Sequence, residues 1–233
     1  MMRRRLVTVW MRASLHLLCH IDAAELARVP RQGPLILATN HVNFLDVPML
    51  YTQLMPRPMS ALIKAETWNN PAMGWLFNTA GGAIAVRRGE ADMDALRQAL
   101  AVLAAGQILC VAPEGKRSGH GRLQRGQPGV VMLALHSGAP ILPVVYYGGE
   151  RLRLNLRRLR RTDFHLRVGQ PFRLDVGSRR VTREMRQQMT DEIMCQMAAL
   201  LPPEYRGAYS DLGAATETFL RFPEGAVSNL RNL

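Results

Sequence analysis

From residue 34 onward the chain alternates short β-rich apolar runs with longer helix-like segments, and this alternation limits the possible folds more than any other feature. Residues 34–39, 59–64, 82–87, 107–112, 141–147 and 164–168 read as strands. Between them, residues 45–55, 71–79, 91–105 and 130–137 read as helices, each beside a Gly, Pro or Asn that punctuates it. Such a βαβα order predicts an α/β fold, a single domain with a mainly parallel mixed sheet flanked by helices. Ligands of these sheets sit beyond the carboxyl ends of the strands. Residues 182–201 read as a last long helix, stopped by Pro202 and Pro203. The expected organisation is therefore an N-terminal segment (1–29), the α/β domain (30–203) and a C-terminal extension (204–233).

A length of 233 residues suits one domain with appendages, at roughly 150 residues per domain. With 48% apolar and 21% charged residues, collagen-like, low-complexity and wholly disordered chains are excluded. Cys19, Cys110 and Cys195 are odd in number, far apart and free of any C-x-x-C pairing, which argues against a disulfide framework and a zinc site; no metal is expected. The net charge of +12 points instead to polyanionic partners. It is concentrated: residues 151–186 carry twelve Arg against Asp163, Asp175 and Glu184. The chain has only two lysines, Lys64 and Lys116.

The N-terminal segment resembles an incomplete signal peptide. Arg3, Arg4 and Arg5 precede an apolar run that Arg12 interrupts, and the next run, 13–21, is again too short to span a bilayer. As a helix, it gathers Leu6, Val9, Trp10, Leu17 and Ile21 largely on one side with arginines flanking, which suits an amphipathic helix at a membrane interface or one packed on its own domain.

Two segments carry candidate chemistry. In the first, Asn40-His41-Val42-Asn43-Phe44-Leu45-Asp46 directly follows an apolar strand. On a regular helix His41 and Asp46 would stand about 140° apart and could not meet. They can meet if His41 lies in the strand-to-helix turn and Asp46 opens the helix, where Pro48 is tolerated. A carboxylate so placed orients the imidazole as a general base for an O–H group; the alternative is a plain helix cap beside a loop histidine. In the second, an apolar strand breaks at Pro113-Glu114-Gly115 into a cationic turn, where Glu114, Lys116 and Arg117 offer charge for a phosphate or for bracing the loop.

These segments, about seventy residues apart, resemble the blocks of the glycerolipid acyltransferase family. Its N-H-x-x-x-x-D block is matched by Asn40, His41 and Asp46, and its G-x-I-x-x-x-R strand by Gly82, Ile84 and Arg88. F-P-E-G-T-R-S is matched by Pro113, Glu114, Gly115, Arg117 and Ser118, and P-I-x-P-V by residues 140–144; Arg125-Gly126 resembles the usual basic-Gly step. Ala112, Lys116 and Asn43 depart from the common Phe, Thr and Ser. Phe222-Pro223-Glu224-Gly225 also fits four letters of the third block, but lacks the Arg-Ser and the preceding strand.

The resemblance implies transfer of a fatty acyl group from an acyl-CoA or acyl carrier protein thioester, as co-substrate and with no cofactor, to the free hydroxyl of a lysophospholipid. The first expectation is conversion of 1-acylglycerol-3-phosphate to phosphatidic acid in phospholipid biosynthesis; another lysolipid acceptor, such as a lyso-ornithine lipid, is the alternative. It implies His41 and Asp46 as catalytic, and Lys64, Arg88, Glu114, Gly115, Arg117 and Ser118 as substrate-binding. Arg88 and Arg117 would clamp an acceptor phosphate. Lys64 would face the developing oxyanion or the donor phosphates, its other reading being a surface lysine. A peripheral enzyme on the cytoplasmic face of the membrane would touch anionic lipid through Trp10, Arg157, Arg158, Arg160 and Arg161, in a stretch that also reads as a solvated edge strand and loop. A non-catalytic nucleic-acid or membrane-binding module is the rival class. It predicts aromatics among the basic residues, yet only Phe164 and Phe172 occur in 151–186, so no nucleic acid is expected.

Overall fold

Leu35-Ile36-Leu37-Ala38 is apolar at every position, as a strand covered on both faces must be. In the computed structural model, which describes residues 2–87 and 92–232, all four are buried. The elements in chain order are α1 (Met2–Leu18), β1 (Cys19–Asp22), β2 (Leu35–Ala38), α2 (Asp46–Leu54), β3 (Met59–Lys64), α3 (Pro71–Ala80), β4 (Ala83–Val86), α4 (Met93–Ala104) and β5 (Ile108–Val111). They continue with α5 (Gly129–Ser137), β6 (Ile141–Tyr147), α6 (Leu152–Arg157), β7 (Thr162–Val168), β8 (Arg173–Leu174), α7 (Arg183–Ala198) and β9 (Leu220–Arg221).

Seven strands form one sheet in the order β1-β7-β6-β2-β5-β3-β4, parallel throughout except where β7 runs against β6. Leu35 of β2 is in register with Ile108 of β5, and Ile36 with Ile141 of β6. The two-residue side-chain period sends Leu35 and Leu37 toward α1 and α2, and Ile36 and Ala38 toward α4, α5 and α7. The α/β fold with a mainly parallel sheet is thus present.

Two sequence expectations are corrected. Helix α1 stops at Leu18, and Cys19–Asp22 pairs in parallel with β7 as an edge strand, so Ile21 is not on the helix. The guanidinium of Arg161 ends the helix by donating to the carbonyls of His16 and of Cys19, the latter at 2.7 Å, which answers the unpaired carbonyls of a last turn. Residues 149–157 are helical rather than an edge strand, because β6 turns off at Gly148, whose φ of +92° suits glycine. Arg88 and residue 91 lie outside the described residues. The turn at 223–226 is closed by the Ala226 N–H on the Pro223 carbonyl, with Phe222 packed on Phe172.

Several side chains of α7 bind the segment that follows it, among them Gln196, Asp191 and one buried carboxylate. Glu192 accepts from the Thr216 hydroxyl at 2.7 Å, from the N–H of Thr218 at 2.9 Å and from that of Phe219 at 3.0 Å. Glu192→Ala would leave two backbone donors without their acceptor, and a loss of about 2–4 kcal/mol in unfolding free energy is expected. Urea denaturation measures it, and a change under about 0.5 kcal/mol, the size of an ordinary surface substitution, would mean that the clamp does not hold the segment.

Candidate active site

Strand β2 gives out at Ala38, and residues 39–45 turn the chain into α2, which Asp46 opens. His41 therefore lies in the turn, and its Nδ1 is 2.7 Å from Oδ2 of the buried Asp46. The same oxygen accepts from the N–H of Val42 at 2.7 Å and of Asn43 at 2.9 Å. With the oxygen acting as an acceptor throughout, Nδ1 carries the hydrogen and the neutral ring has its lone pair on Nε2. Asp46 Oδ1 is buried and has no hydrogen-bond partner. Asn43 locks the turn further: its Oδ1 accepts from Leu45 N–H at 2.8 Å, and its Nδ2 donates to the Gly149 carbonyl at 2.9 Å.

The backbone of His41 is gripped from the loop that follows β5. Glu114 Oε1 accepts the His41 N–H at 2.8 Å, and Oε2 accepts that of Gln124 at 2.9 Å. On the other edge, Ser118 N–H donates to the His41 carbonyl at 2.7 Å and Gly119 N–H to that of Val42 at 3.2 Å. Burial raises the pKa of Glu114, opposed by the amides of His41 and Gln124 that favour its charged form. Both Glu114 oxygens and the Ser118 hydroxyl, which accepts from Gly121 N–H, are engaged with the protein itself. The two Glu114 oxygens brace the loop, and Glu114 also lines the cavity that His41 and Asp46 share. Gly126 packs under this loop so closely that a Cβ there would stand 2.6 Å from Thr190 Cγ2 of α7, and its N–H donates to the Tyr209 hydroxyl at 3.0 Å.

His41 and Asp46 line a cavity of about 740 Å³ at the carboxyl ends of β3 and β5. Much of its wall is apolar, with Leu62, Ala95, Ala99, Val130 and Leu133 among the lining residues. Lys64, Arg87, Gly115 and Lys116 line it as well. Lys64 Nζ is 3.1 Å from Glu66 Oε1, and Arg87 Nε is 3.5 Å from Asp92 Oδ2. Arg117 is exposed and is not among the lining residues, and Ser118 is also absent from them. Arg87 is not among the expected substrate contacts, whereas the place of Lys116 in the cationic turn after β5, where it offers charge for a phosphate, already points to it. Cys110 is in the wall too, but burial first, and the charge of Asp46 second, push its thiol up to about 12, so it stays protonated and is a poor nucleophile.

The expected membrane-contact residues divide. Trp10 is 66% exposed on the outer face of α1, beside Leu6, Val9 and Leu17, while Met11 and Leu15 hold the inner face in the core. Arg157, Arg158 and Arg160 are exposed, whereas Arg161 is occupied at the end of α1. Leu154, Leu156 and Leu159 are exposed in the same arm.

A family model described as acyltransferase matches residues 20–147. The chain is 25% identical over 148 residues to a chloroplastic 1-acyl-sn-glycerol-3-phosphate acyltransferase of Brassica napus, covering 62% of this chain and 42% of that protein. It is 25% identical over 186 residues to one of Chlamydomonas reinhardtii, covering 78% and 53%, so it spans about half the length of these curated relatives. Its fold is shared with the 1-acyl-sn-glycerophosphate acyltransferase PlsC of Thermotoga maritima, with a TM-score of 0.61 at 20% identity over 82% of this chain and 76% of the other. With its histidine and carboxylate paired at one end of the matched sheet, the chain belongs to the acyltransferase family.

Proposed function

We propose that the chain transfers a fatty acyl group from a thioester of coenzyme A or acyl carrier protein to the free hydroxyl of a lysophospholipid, with 1-acylglycerol-3-phosphate the acceptor that the names of its relatives suggest. The observation that carries this reading is the 2.7 Å bond between His41 Nδ1 and Asp46 Oδ2 at an apolar cavity of about 740 Å³. The cavity takes the acyl chain, and His41 Nε2 accepts the proton of the acceptor hydroxyl as its oxygen attacks the thioester carbonyl carbon. Asp46 holds the ring and balances the imidazolium. The tetrahedral intermediate then expels the thiolate, which takes the proton from His41 and leaves as thiol. Lys64 is the candidate donor toward the oxyanion or the donor phosphates, and Lys116 and Arg87 are better situated than Arg117 to meet an acceptor phosphate.

We further propose peripheral attachment to anionic membrane. No helix among the described residues is long and apolar enough to cross a bilayer. The outward stripe of α1 and the Leu/Arg arm at 152–160 adjoin each other through Arg161, which supports one interfacial face combining apolar insertion with cationic attraction.

Incubation of the purified chain with lysolipids and acyl thioesters, with products read by mass, tests the reaction. His41→Ala should lose nearly all transfer with the fold retained, and Asp46→Asn most of it; near-normal turnover of His41→Ala would remove the general-base role. Lys116→Ala should raise KM for a phosphorylated acceptor about tenfold, near 1.5 kcal/mol for a charged contact, and leave a phosphate-free acceptor unchanged. Equal effects on both acceptors would make Lys116 a structural residue. In vesicle flotation, neutralising Arg157, Arg158 and Arg160 should remove the salt-sensitive part of binding to anionic vesicles, and Trp10→Ala the part that survives high salt. Flotation of the triple variant equal to wild type at low salt would mean that the arm is only a solvated surface.

A further inference from the structure

Tyr146 lies near the end of β6, on the neighbour of the strand that delivers His41, and both of its ends are committed to the catalytic turn. Pairing of β2 with β6 ends at Ala38 opposite Pro143. Beyond that point the side-chain amide of Asn40 continues the ladder: its Nδ2 donates to the Tyr146 carbonyl at 2.8 Å, and its Oδ1 accepts the Tyr146 N–H at 3.0 Å. The phenol then returns to the same residue and donates to the Asn40 carbonyl at 2.5 Å, while its oxygen lies 3.4 Å from the Val42 nitrogen. One side chain thereby holds the backbone on both sides of His41. Tyr146 is fully buried and packed beside Phe164, and no other described residue except Thr39, at 3.4 Å, offers a side-chain hydrogen to the Asn40 carbonyl.

We infer that Tyr146 is a positioning residue for the His41–Asp46 pair, its hydroxyl fixing residues 40–42 so that the imidazole meets both the carboxylate and the acceptor hydroxyl. A phenol has one hydrogen to give. It goes to the Asn40 carbonyl, which fixes the backbone immediately before His41. Burial first, and the charge of Asp46 second, hold the phenol pKa well above its usual value, so the donor persists at any working pH. Small displacements of a catalytic group are costly to rate without altering binding. For turnover this inference rests on the acyl-transfer reading of the pair.

Tyr146→Phe keeps the ring and deletes the hydroxyl. The expected result is a fall in kcat of roughly tenfold, KM for donor and acceptor within about twofold, and a melting temperature close to wild type. Without any substrate, the low-field proton resonance of His41 Nδ1–H should shift or broaden. Tyr51→Phe is the control, since it deletes another buried hydroxyl, one that donates to the Ala80 carbonyl at 2.8 Å, and should change neither reading. An unchanged kcat and resonance would overturn the inference, as would a loss carried mainly by KM. A shifted resonance in a chain that transfers no acyl group would instead leave the positioning intact and refute the proposed function. Should Tyr146→Phe not fold, the wild type decides: the inference requires a slowly exchanging Tyr146 hydroxyl proton with a nuclear Overhauser contact to the Val42 N–H, and its absence contradicts the geometry.

Discussion

One oxygen organises the site. Oδ2 of Asp46 is buried, and a buried carboxylate must find donors or lose its charge. It finds three in six residues of chain: the His41 ring and the N–H groups of Val42 and Asn43. Those amides converge only if the chain curls back on itself directly after β2. The bonds that solvate the charge are therefore the bonds that orient the imidazole, and folding of the turn and assembly of the pair are a single event.

Support for this turn comes in concentric layers. Glu114 and Ser118 hold the two backbone edges of His41. Their loop is held in turn by the C-terminal segment: Leu123 exchanges backbone bonds with Tyr205 and Ala208, Tyr209 receives the Gly126 N–H, and Glu192 ties the following strand to α7. The family match ends at residue 147, yet the bracing of its third block depends on chain well beyond that point. The extension is in this respect part of the site's scaffold.

Much of this was legible in local sequence. Unbroken apolar runs such as 35–38 announce strands buried on both faces, and the strand-turn-helix arrangement of His41, Asp46 and Pro48 follows from which residues a first helical turn tolerates. Pairings between distant segments were not legible. Cys-His-Ile-Asp at 19–22 has little strand character, and it becomes one only because β7, some 140 residues later, offers an open edge. An arginine in a basic run gives no sign whether water or a helix end receives it, which is why Arg161 stands apart from Arg157, Arg158 and Arg160. Glu114 carries a charge that suggests substrate and it lines the cavity, while the amides of His41 and Gln124 that its oxygens also accept are encoded by no motif. Lys116 and Arg87 line the cavity because of how the loops after β4 and β5 turn.

In the proposed reaction the protein supplies a proton acceptor and a largely apolar cavity, while the thioester supplies the activation. Cys110, the cysteine in the cavity wall, is kept protonated by burial. No covalent intermediate is needed, and the central claim is that His41 works by moving a proton. Intact-mass measurement of the protein, quenched during turnover with an acyl thioester and a lysolipid, tests it most directly. The account predicts a chain of unmodified mass while acylated lipid accumulates; an acyl adduct on the protein that forms and decays at the rate of turnover would contradict it.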